Sequence, residues 1–239
     1  MNSGKTEIQD AGADLENLRK RRRRRLVIWL LIDLAVASIV LGLLFYRPAS
    51  YRPLNTVGFK EGQVSPYLTH ELSPRFYNEA QKRKAFELVV TEDAINDIIA
   101  RGDWPKESEG VMLYSPAALF VPGRAVLMGT ADFRGVKFVI TIEIEPRLDE
   151  DGLLDLDVTC FKVGAMNVTP LAKMIAKRMY AERLAEIEID AEALQSKIAA
   201  ALLNDEGFLP VFSAGDSRVR VERVEVEKGR LVLSFVPAS

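Results

Sequence analysis

The sequence predicts an α+β fold, in which an N-terminal transmembrane helix is followed by a mostly antiparallel sheet with helices packed on it. Three patterns predict this: an unbroken apolar run over residues 26–45, strict alternation of apolar and polar residues over 137–145, and an amphipathic stripe over 191–202. The predicted strands come in runs. A parallel nucleotide-binding fold would instead require strands that alternate with helices.

The apolar run over residues 26–45 has the length of a membrane span. Twenty helical residues rise about 30 Å, the thickness of a bilayer core, and inside lipid every backbone polar group must bond within the segment. A cleaved signal peptide is the alternative, but its apolar region would be only about 7–15 residues long. The small-residue pattern at 35–37 lies in the middle of the run. We therefore predict an uncleaved, single-pass anchor.

Basic residues are concentrated on one side of this run. Residues 19–25 are seven consecutive Arg or Lys, whereas only Arg47 and Arg52 follow closely after the run. The positive-inside rule then makes residues 1–25 a cytoplasmic basic tail in a cell membrane and places the rest of the chain on the extracytoplasmic, periplasmic side. The side chains expected at the membrane interface are Arg21, Arg22, Arg23, Arg24, Arg25, Trp29 and Tyr46.

Charge within and beyond the span limits the partners. Asp33 lies inside the span, where it is either protonated or near headgroup water, or contacts a helix of a membrane-protein partner. Residues 26–239 carry 24 positive and 30 negative side chains, a net charge of −6. This acidic balance offers no general attraction for nucleic acid, so membrane lipids are the expected partners of the basic block.

After the span, residues 46–83 are predicted to be a tether, with four prolines, and residues 84–239 an extracytoplasmic α+β domain. The domain is expected to begin with a strand at 86–90. Thr91 then caps a helix whose Ile95, Ile98 and Ile99 fall on one face, and Gly102 ends that helix.

Further strands are predicted at 111–121, with an interruption around Pro116, at 124–133 and at 137–145. The strand 154–160 alternates until a change of phase near Phe161, which indicates a bulge or bend. One helix is predicted from Thr169-Pro170 to about residue 185 and another from about residue 190. A hairpin of strands at 219–226 and 231–235 ends the chain.

No sequence motif for catalysis, phosphate binding or metal binding is present. Cys160 and His70 are the only cysteine and histidine, and zinc sites usually need several such ligands. The acidic run Asp149, Glu150 and Asp151 adjoins Gly152 and is interpreted as a solvated turn. We expect no enzymatic activity, no metal and no cofactor, and a hydrolase with an unrecognised site is the weakest alternative.

Several elements carry aliphatic faces with little polar interruption. Such faces fit either an ordinary closed core or an apolar groove between sheet and helices, which holds acyl chains because burial is worth about 0.8 kcal/mol per CH₂. The residues expected to line such a groove are Phe138, Ile140, Ile142, Ile144, Leu154, Leu156, Val158, Leu194, Ile198 and Leu202.

Short motifs in the domain suggest a family. They are the stretch 91–99 after the first strand, the turn from Pro146 to Gly152 before residues 154–158, Val163-Gly164, and Thr169-Pro170 opening a helix. With the preceding anchor, this order over about residues 85–236 resembles the YpmS-like family of bacterial single-pass membrane proteins. It is also similar to the LmeA group and the wider tubular lipid-binding (TULIP) superfamily.

The resemblance implies a curved antiparallel sheet wrapped against a long helix with lipid held between them, and it supplies no catalytic residues. The expected function is therefore that of a membrane-anchored extracytoplasmic domain that binds a lipid or other apolar ligand. The alternative is a cell-envelope interaction or scaffold protein with a closed core and no ligand, in which Asp33 and exposed sheet edges meet partner proteins.

Overall fold

The structure is a computed structural model, and it describes residues 3–54, 64–102, 104–108, 110–186, 194–204 and 206–238. Side chains are described in these ranges except at 3–21, 108, 179–186, 194–196, 199 and 203. The chain forms two units, one of residues 1–44 and one of residues 45–239.

The first unit is the single helix α1, Ser3–Leu44. Its stretch Arg22–Leu44, 23 residues with a mean hydropathy of 2.6, is the one helix in the described part of the chain that is long and apolar enough to span a membrane. Its apolar side chains are exposed, among them Trp29. Together with the two antiparallel sheets of the second unit, this helix confirms the α+β class with an N-terminal apolar helix.

The second unit contains two antiparallel sheets. Its helices and strands are β1 Phe86–Thr91, α3 Glu92–Ala100, β2 Lys106–Ser108, β3 Val111–Val121, β4 Arg124–Phe133, β5 Val136–Leu148, β6 Leu154–Val163, β7 Met166–Asn167, α4 Thr169–Glu186, α5 Leu194–Asn204, β8 Val211–Ala214, β9 Ser217–Glu227 and β10 Arg230–Pro237, preceded by a π-helical turn Leu68–Leu72 and by α2, Ser73–Gln81. Sheet A has the strand order β1-β10-β9-β8, and sheet B is a meander from β2 to β7.

Sheet A packs against α2 through an aromatic cluster. The ring of Phe76 on α2 lies edge-on to those of Phe86, Phe212 and Phe235, with centroid distances of 6.1, 6.4 and 5.5 Å. Ala80 is buried beside them. Since edge-to-face contacts add to the area term, this cluster fixes α2 on the sheet.

Other parts of the chain pack on both faces of sheet B. We call face 1 the one that carries Ile142 and Ile144, and face 2 the one that carries Val139 and Thr141. α3, α4, α5 and β9 pack on the strands of sheet B, whereas Tyr51 packs on face 2 beside Val139 and Met128. Two backbone bonds, from Gly123 N–H to the Val226 carbonyl (2.8 Å) and from Gly229 N–H to the Phe120 carbonyl (3.0 Å), join the turn after β3 to the β9–β10 hairpin.

The prediction of a tether over 46–83 is wrong for the two segments of it that the structure describes. Tyr51 is only 4% exposed, and its hydroxyl donates to the Ser115 carbonyl at 2.6 Å, at the interruption predicted around Pro116. The helix α2 belongs to the core of sheet A. The prolines suggested an extended linker. However, Tyr51 packs in the apolar cluster of sheet B and Phe76 in that of sheet A, so the domain begins well before residue 84. Residues 55–63 lie outside the described residues.

The predicted change of phase in β6 is a β-bulge, centred slightly earlier than expected. Ile144 of β5 pairs with Val158, and the next pair is Glu143 with Cys160, so Thr159 is the extra residue. The alternation over 154–160 predicts that Cys160 shares a face with Leu154, Leu156 and Val158. Because of the bulge it lies instead on face 2 with Glu143.

Candidate ligand-binding site

An apolar cavity of about 180 Å³ lies between face 1 of sheet B and the helices α4 and α5. Strands β4, β5 and β6 form one wall and the two helices form the other. The lining consists of Leu127, Ile142, Ile144, Val158, Phe161, Ala172, Lys173, Ala176, Lys177 and Leu202. Apart from the two lysines, every lining side chain is apolar, so the cavity suits a hydrocarbon group better than water, which needs two to four polar partners.

Strand register assembles the sheet wall. Ile142 of β5 pairs with Leu127 on one side and with Phe161 on the other, and Ile144 pairs with Val158. Directly opposed residues in neighbouring antiparallel strands share a face. Without the bulge at Thr159, Phe161 and Val158 would lie on opposite faces, so the bulge brings the aromatic ring to the cavity.

The helix wall is built from small residues. Ala172 and Ala176, one helical turn apart, line the cavity. Three large apolar residues in the described part of the same helix instead lie outward: Leu171, Met174 and Ile175 are 52%, 64% and 47% exposed. The space beneath α4 therefore stays open because the helix presents methyl groups where a closed core would need larger side chains.

Polar contacts hold the start of α4 against β6. The hydroxyl of Thr169 accepts from the Phe161 N–H at 2.7 Å, and it donates to Asn167 Oδ1 at 2.6 Å. One turn later Lys173 forms an ion pair with Asp157 at 3.0 Å. Both partners of that pair are more than a third exposed, so it contributes at most about 1 kcal/mol.

The ten residues expected to line a groove have different positions. Ile142, Ile144, Val158 and Leu202 line the cavity. Phe138 lines a separate hollow on face 2. Four others are half-buried but do not line the cavity: Ile140, Leu154, Leu156 and Ile198. The side chain of Leu194 lies outside the described residues.

Sequence reasoning missed Leu127, Phe161, Ala172 and Ala176. Leu127 was detectable, because alternation along 124–133 and pairing with the next strand place it beside Ile142. The two alanines lie four residues apart on a predicted helix and so share one of its faces, and small residues on one face indicate that the helix can lie close to a sheet. The signal for Phe161 was indirect, because its face depends on the bulge, which only the change of phase near this residue indicated.

Beside its apolar residues, face 2 carries a cluster of charged side chains. The carboxylate of Glu143 lies 2.8 Å from Arg124 Nη1 and 2.7 Å from Lys162 Nζ. By accepting that hydrogen bond, Glu143 raises the pKa of Lys162 above its usual range. These three residues line a hollow of about 480 Å³, together with Tyr46 and Pro48.

The predicted interface residues lie in or beside α1. Arg22 to Arg25 and Trp29 are exposed on it, and Tyr46 is exposed two residues after its end. The side chain of Arg21 lies outside the described residues. Asp33 is also exposed, on the stretch that could span a membrane.

The residues considered as candidates for catalysis, all of them described by the structure, do not form a cluster. Among the described side chains, no group of three or more His, Cys, Asp and Glu could hold a metal ion. Exposed His70 lies next to Thr69, with Nδ1 3.0 Å from its hydroxyl. Asp149 accepts from the Leu153 N–H at 2.8 Å within an exposed turn, and Cys160 is half-buried.

Comparison of the chain with known protein families, with curated proteins and with solved structures found no match.

Proposed function

We propose that this chain is a membrane-anchored binding protein whose domain takes up part of a lipid acyl chain or another apolar ligand, and that it acts without catalysis. The observation that supports this most directly is the apolar cavity beneath α4. Four residues expected from the sequence to contact such a ligand, Ile142, Ile144, Val158 and Leu202, line it.

The size of the cavity limits the ligand. A cavity of about 150 Å³ holds one benzene molecule, so 180 Å³ admits the end of one hydrocarbon chain and not a whole lipid. Burial of about five methylenes contributes about 4 kcal/mol, which alone corresponds to a millimolar Kd. Anchoring at a membrane offsets such weak affinity, because lipid is abundant there.

We also propose the topology and the architecture that go with this function. The basic block at 19–25 keeps the N-terminus in the cytoplasm, so the domain works in the cell envelope. In the tubular lipid-binding arrangement that we propose, sheet B would curve around α4, with the ligand between them. Asp33 is then available to a membrane-protein partner.

A second candidate function rests on the outer side of α4. Leu171, Met174 and Ile175 form an exposed apolar ridge one to two turns long. In a scaffold or interaction protein with no ligand, this ridge would contact a partner protein, because exposed apolar patches often mark interaction sites.

Photo-crosslinking of the full chain distinguishes these functions. The chain, in lipid nanodiscs, is incubated with a diazirine-bearing fatty acid and irradiated, and labelled peptides are mapped. The binding function predicts labelling within β5, β6 and α4 in addition to the expected labelling of α1. A domain that carries no label while α1 is labelled would contradict it.

Filling the cavity provides a matched control. The variant Ala176→Met fills the space beneath α4, and Ala85→Met adds the same atoms at an exposed position. We expect the first to reduce domain labelling at least fivefold and the second to leave it unchanged. Equal labelling of the two variants would show that the fatty acid binds elsewhere.

A further inference from the structure

Another concave surface on face 2 has the opposite chemistry to the apolar cavity. This basic hollow has a volume of about 450 Å³ and is lined by Arg47, Lys137, Tyr51, Tyr114 and Thr130, among others. Its volume lies in the range of about 300–1,000 Å³ that is usual for small-ligand sites. None of the described residues in the lining is acidic.

The two cations of the basic hollow form no ion pair with the residues that the structure describes. Within the described part of the chain neither Arg47 nor Lys137 belongs to an ion pair. Asp132 pairs with Lys137 in register, but its carboxylate accepts from the Gly135 N–H at 2.8 Å and lies outside the lining. The described lining of the hollow therefore carries two positive charges that an anion can neutralise.

The neighbouring hollow on face 2 shows what compensation looks like. There Glu143 lies between Arg124 and Lys162, at 2.8 and 2.7 Å, so its carboxylate neutralises one of the two positive charges. On this face, cations with a structural role are therefore paired with a carboxylate of the chain itself. Among the described residues no carboxylate is paired with Arg47 or Lys137 in this way, which favours an external anion.

Aromatic rings position both cations. The guanidinium carbon of Arg47 is 5.1 Å from the centre of the Tyr51 ring, and Lys137 Nζ is 5.4 Å from that of Tyr114. Tyr51 is itself fixed, since its hydroxyl donates to the Ser115 carbonyl and lies 2.9 Å from the Thr130 hydroxyl. These contacts hold the two cations in place before a ligand arrives, which reduces the entropy cost of binding.

The chain itself indicates where the anion comes from. Phe45, which also lines the hollow, directly follows Leu44, the last residue of α1, and Arg47 is the third residue after it. Three residues reach at most about 11 Å, so with α1 across a bilayer Arg47 lies at the level of the lipid headgroups. Phosphate is the anion concentrated at that level, and a guanidinium with an ammonium suits it.

We infer that the basic hollow binds the phosphate group of an anionic membrane lipid through Arg47 and Lys137. It would fix the domain to the bilayer surface at a second point beyond α1. The inference shares with the proposed function only the membrane span of α1, and it does not depend on the apolar cavity.

The test uses the full chain in nanodiscs that contain phosphatidylglycerol with a photoreactive headgroup, and it maps the labelled peptides. Labelling at the basic block 19–25 serves as an internal reference. The double variant Arg47→Gln/Lys137→Gln is compared with Arg52→Gln/Arg134→Gln, which removes two exposed cations from the same two segments but outside the lining. Lys137→Arg keeps the charge, and thermal unfolding establishes that each variant is folded.

We expect labelling of residues 45–53 and 136–139, relative to the reference, to fall at least tenfold in the first double variant. It should change less than threefold in the second and persist in Lys137→Arg. Equal losses in both double variants would overturn the site, because they would show only general attraction of charge. Loss of labelling on adding 50 mM inorganic phosphate would also overturn it, because the hollow would then hold free phosphate and not lipid.

The same samples distinguish this inference from the fatty-acid site. Ala176→Met fills the apolar cavity and is expected to leave headgroup labelling unchanged. Headgroup labelling that fell with Ala176→Met as strongly as with the Arg47→Gln/Lys137→Gln variant would contradict two independent sites.

Discussion

The helices α3 and α4 both contact sheet B, but they are held by different means. α3 is attached by side-chain bonds to backbone atoms of the sheet: Asn96 donates to the Ala118 carbonyl at 2.8 Å and accepts from its N–H at 2.7 Å, and Glu92 accepts from the Phe120 N–H at 3.0 Å. Among the described side chains, α4 contacts the sheet through the hydroxyl of Thr169 at its start and through the Lys173–Asp157 ion pair one turn later, and it leaves a cavity beneath it.

The difference shows how one fold separates rigidity from binding. Directed hydrogen bonds to buried backbone define a single position for α3, because any displacement would leave polar groups unsatisfied. Small side chains over an apolar wall define the position of α4 less strictly and leave volume for a ligand. We therefore expect substitutions in α3 to affect stability and substitutions in α4 to affect binding.

The largest effect is expected at Asn96. Asn96→Ala removes both bonds to Ala118 and leaves its backbone groups without partners, which should lower the free energy of unfolding by about 2–4 kcal/mol. Trp104, which donates to the Ile99 carbonyl at 2.8 Å, reports unfolding by fluorescence when Trp29 is replaced by Phe. Asn78→Ala, at an exposed position on α2, is the control. Equal stability of the two variants would contradict a structural role for Asn96.

A smaller loss is expected at the start of α3. The hydroxyl of Thr91 accepts from the Ala94 N–H at 3.3 Å and caps the helix. Thr91→Ala should cost about 1 kcal/mol and Thr91→Ser much less, measured by the same fluorescence. If Thr91→Ser were as unstable as Thr91→Ala, the methyl group of Thr91 and not its hydroxyl would be responsible.

A pH dependence of still smaller size is expected from Asp97. Hydrogen bonds from Arg101 and then from Ser65 lower the pKa of Asp97, so its ionised form stabilises the fold. Because the pKa in the folded state is depressed, this contribution is present above the ordinary carboxylate pKa of about 4 and is lost as the pH falls below it. Thermal unfolding between pH 7 and pH 3 should show a steeper loss for the natural chain than for Asp97→Asn. Parallel curves would show that Asp97 makes no such contribution.

The smallest effect is expected on the outer side of α4. Met174 is 64% exposed, so Met174→Gln should change the free energy of unfolding by less than about 0.5 kcal/mol. A loss of several times that size would show that the ridge is covered within the folded chain, and that α3 and α4 do not differ in the way described. Chemical unfolding of the full chain in detergent measures it.

Local patterns in the sequence predicted most of the elements. The alternation over 137–145 and the cap at Thr91 correspond to β5 and α3. Patterns of this kind depend only on neighbours along the chain, which is why they can be interpreted without a structure. The bulge in β6 also left a local trace, the change of phase near Phe161.

The candidate site was only half predictable for the same reason. Whether Ile142 meets a cavity or a closed core depends on α4 presenting Ala172 and Ala176, which is a property of packing and not of either segment alone. Tyr51 likewise looked like part of a linker because its partners, Ser115 and Thr130, lie more than sixty residues further along the chain.

Hydrogen exchange tests most directly whether the space beneath α4 is a ligand site. The full chain, held in an amphipathic polymer after lipid removal, is measured with and without a saturating medium-chain fatty acid. Our account predicts slower exchange of backbone amides in the first turns of α4, with those of α3 unchanged. Unchanged exchange in α4, or an equal change in both helices, would contradict it.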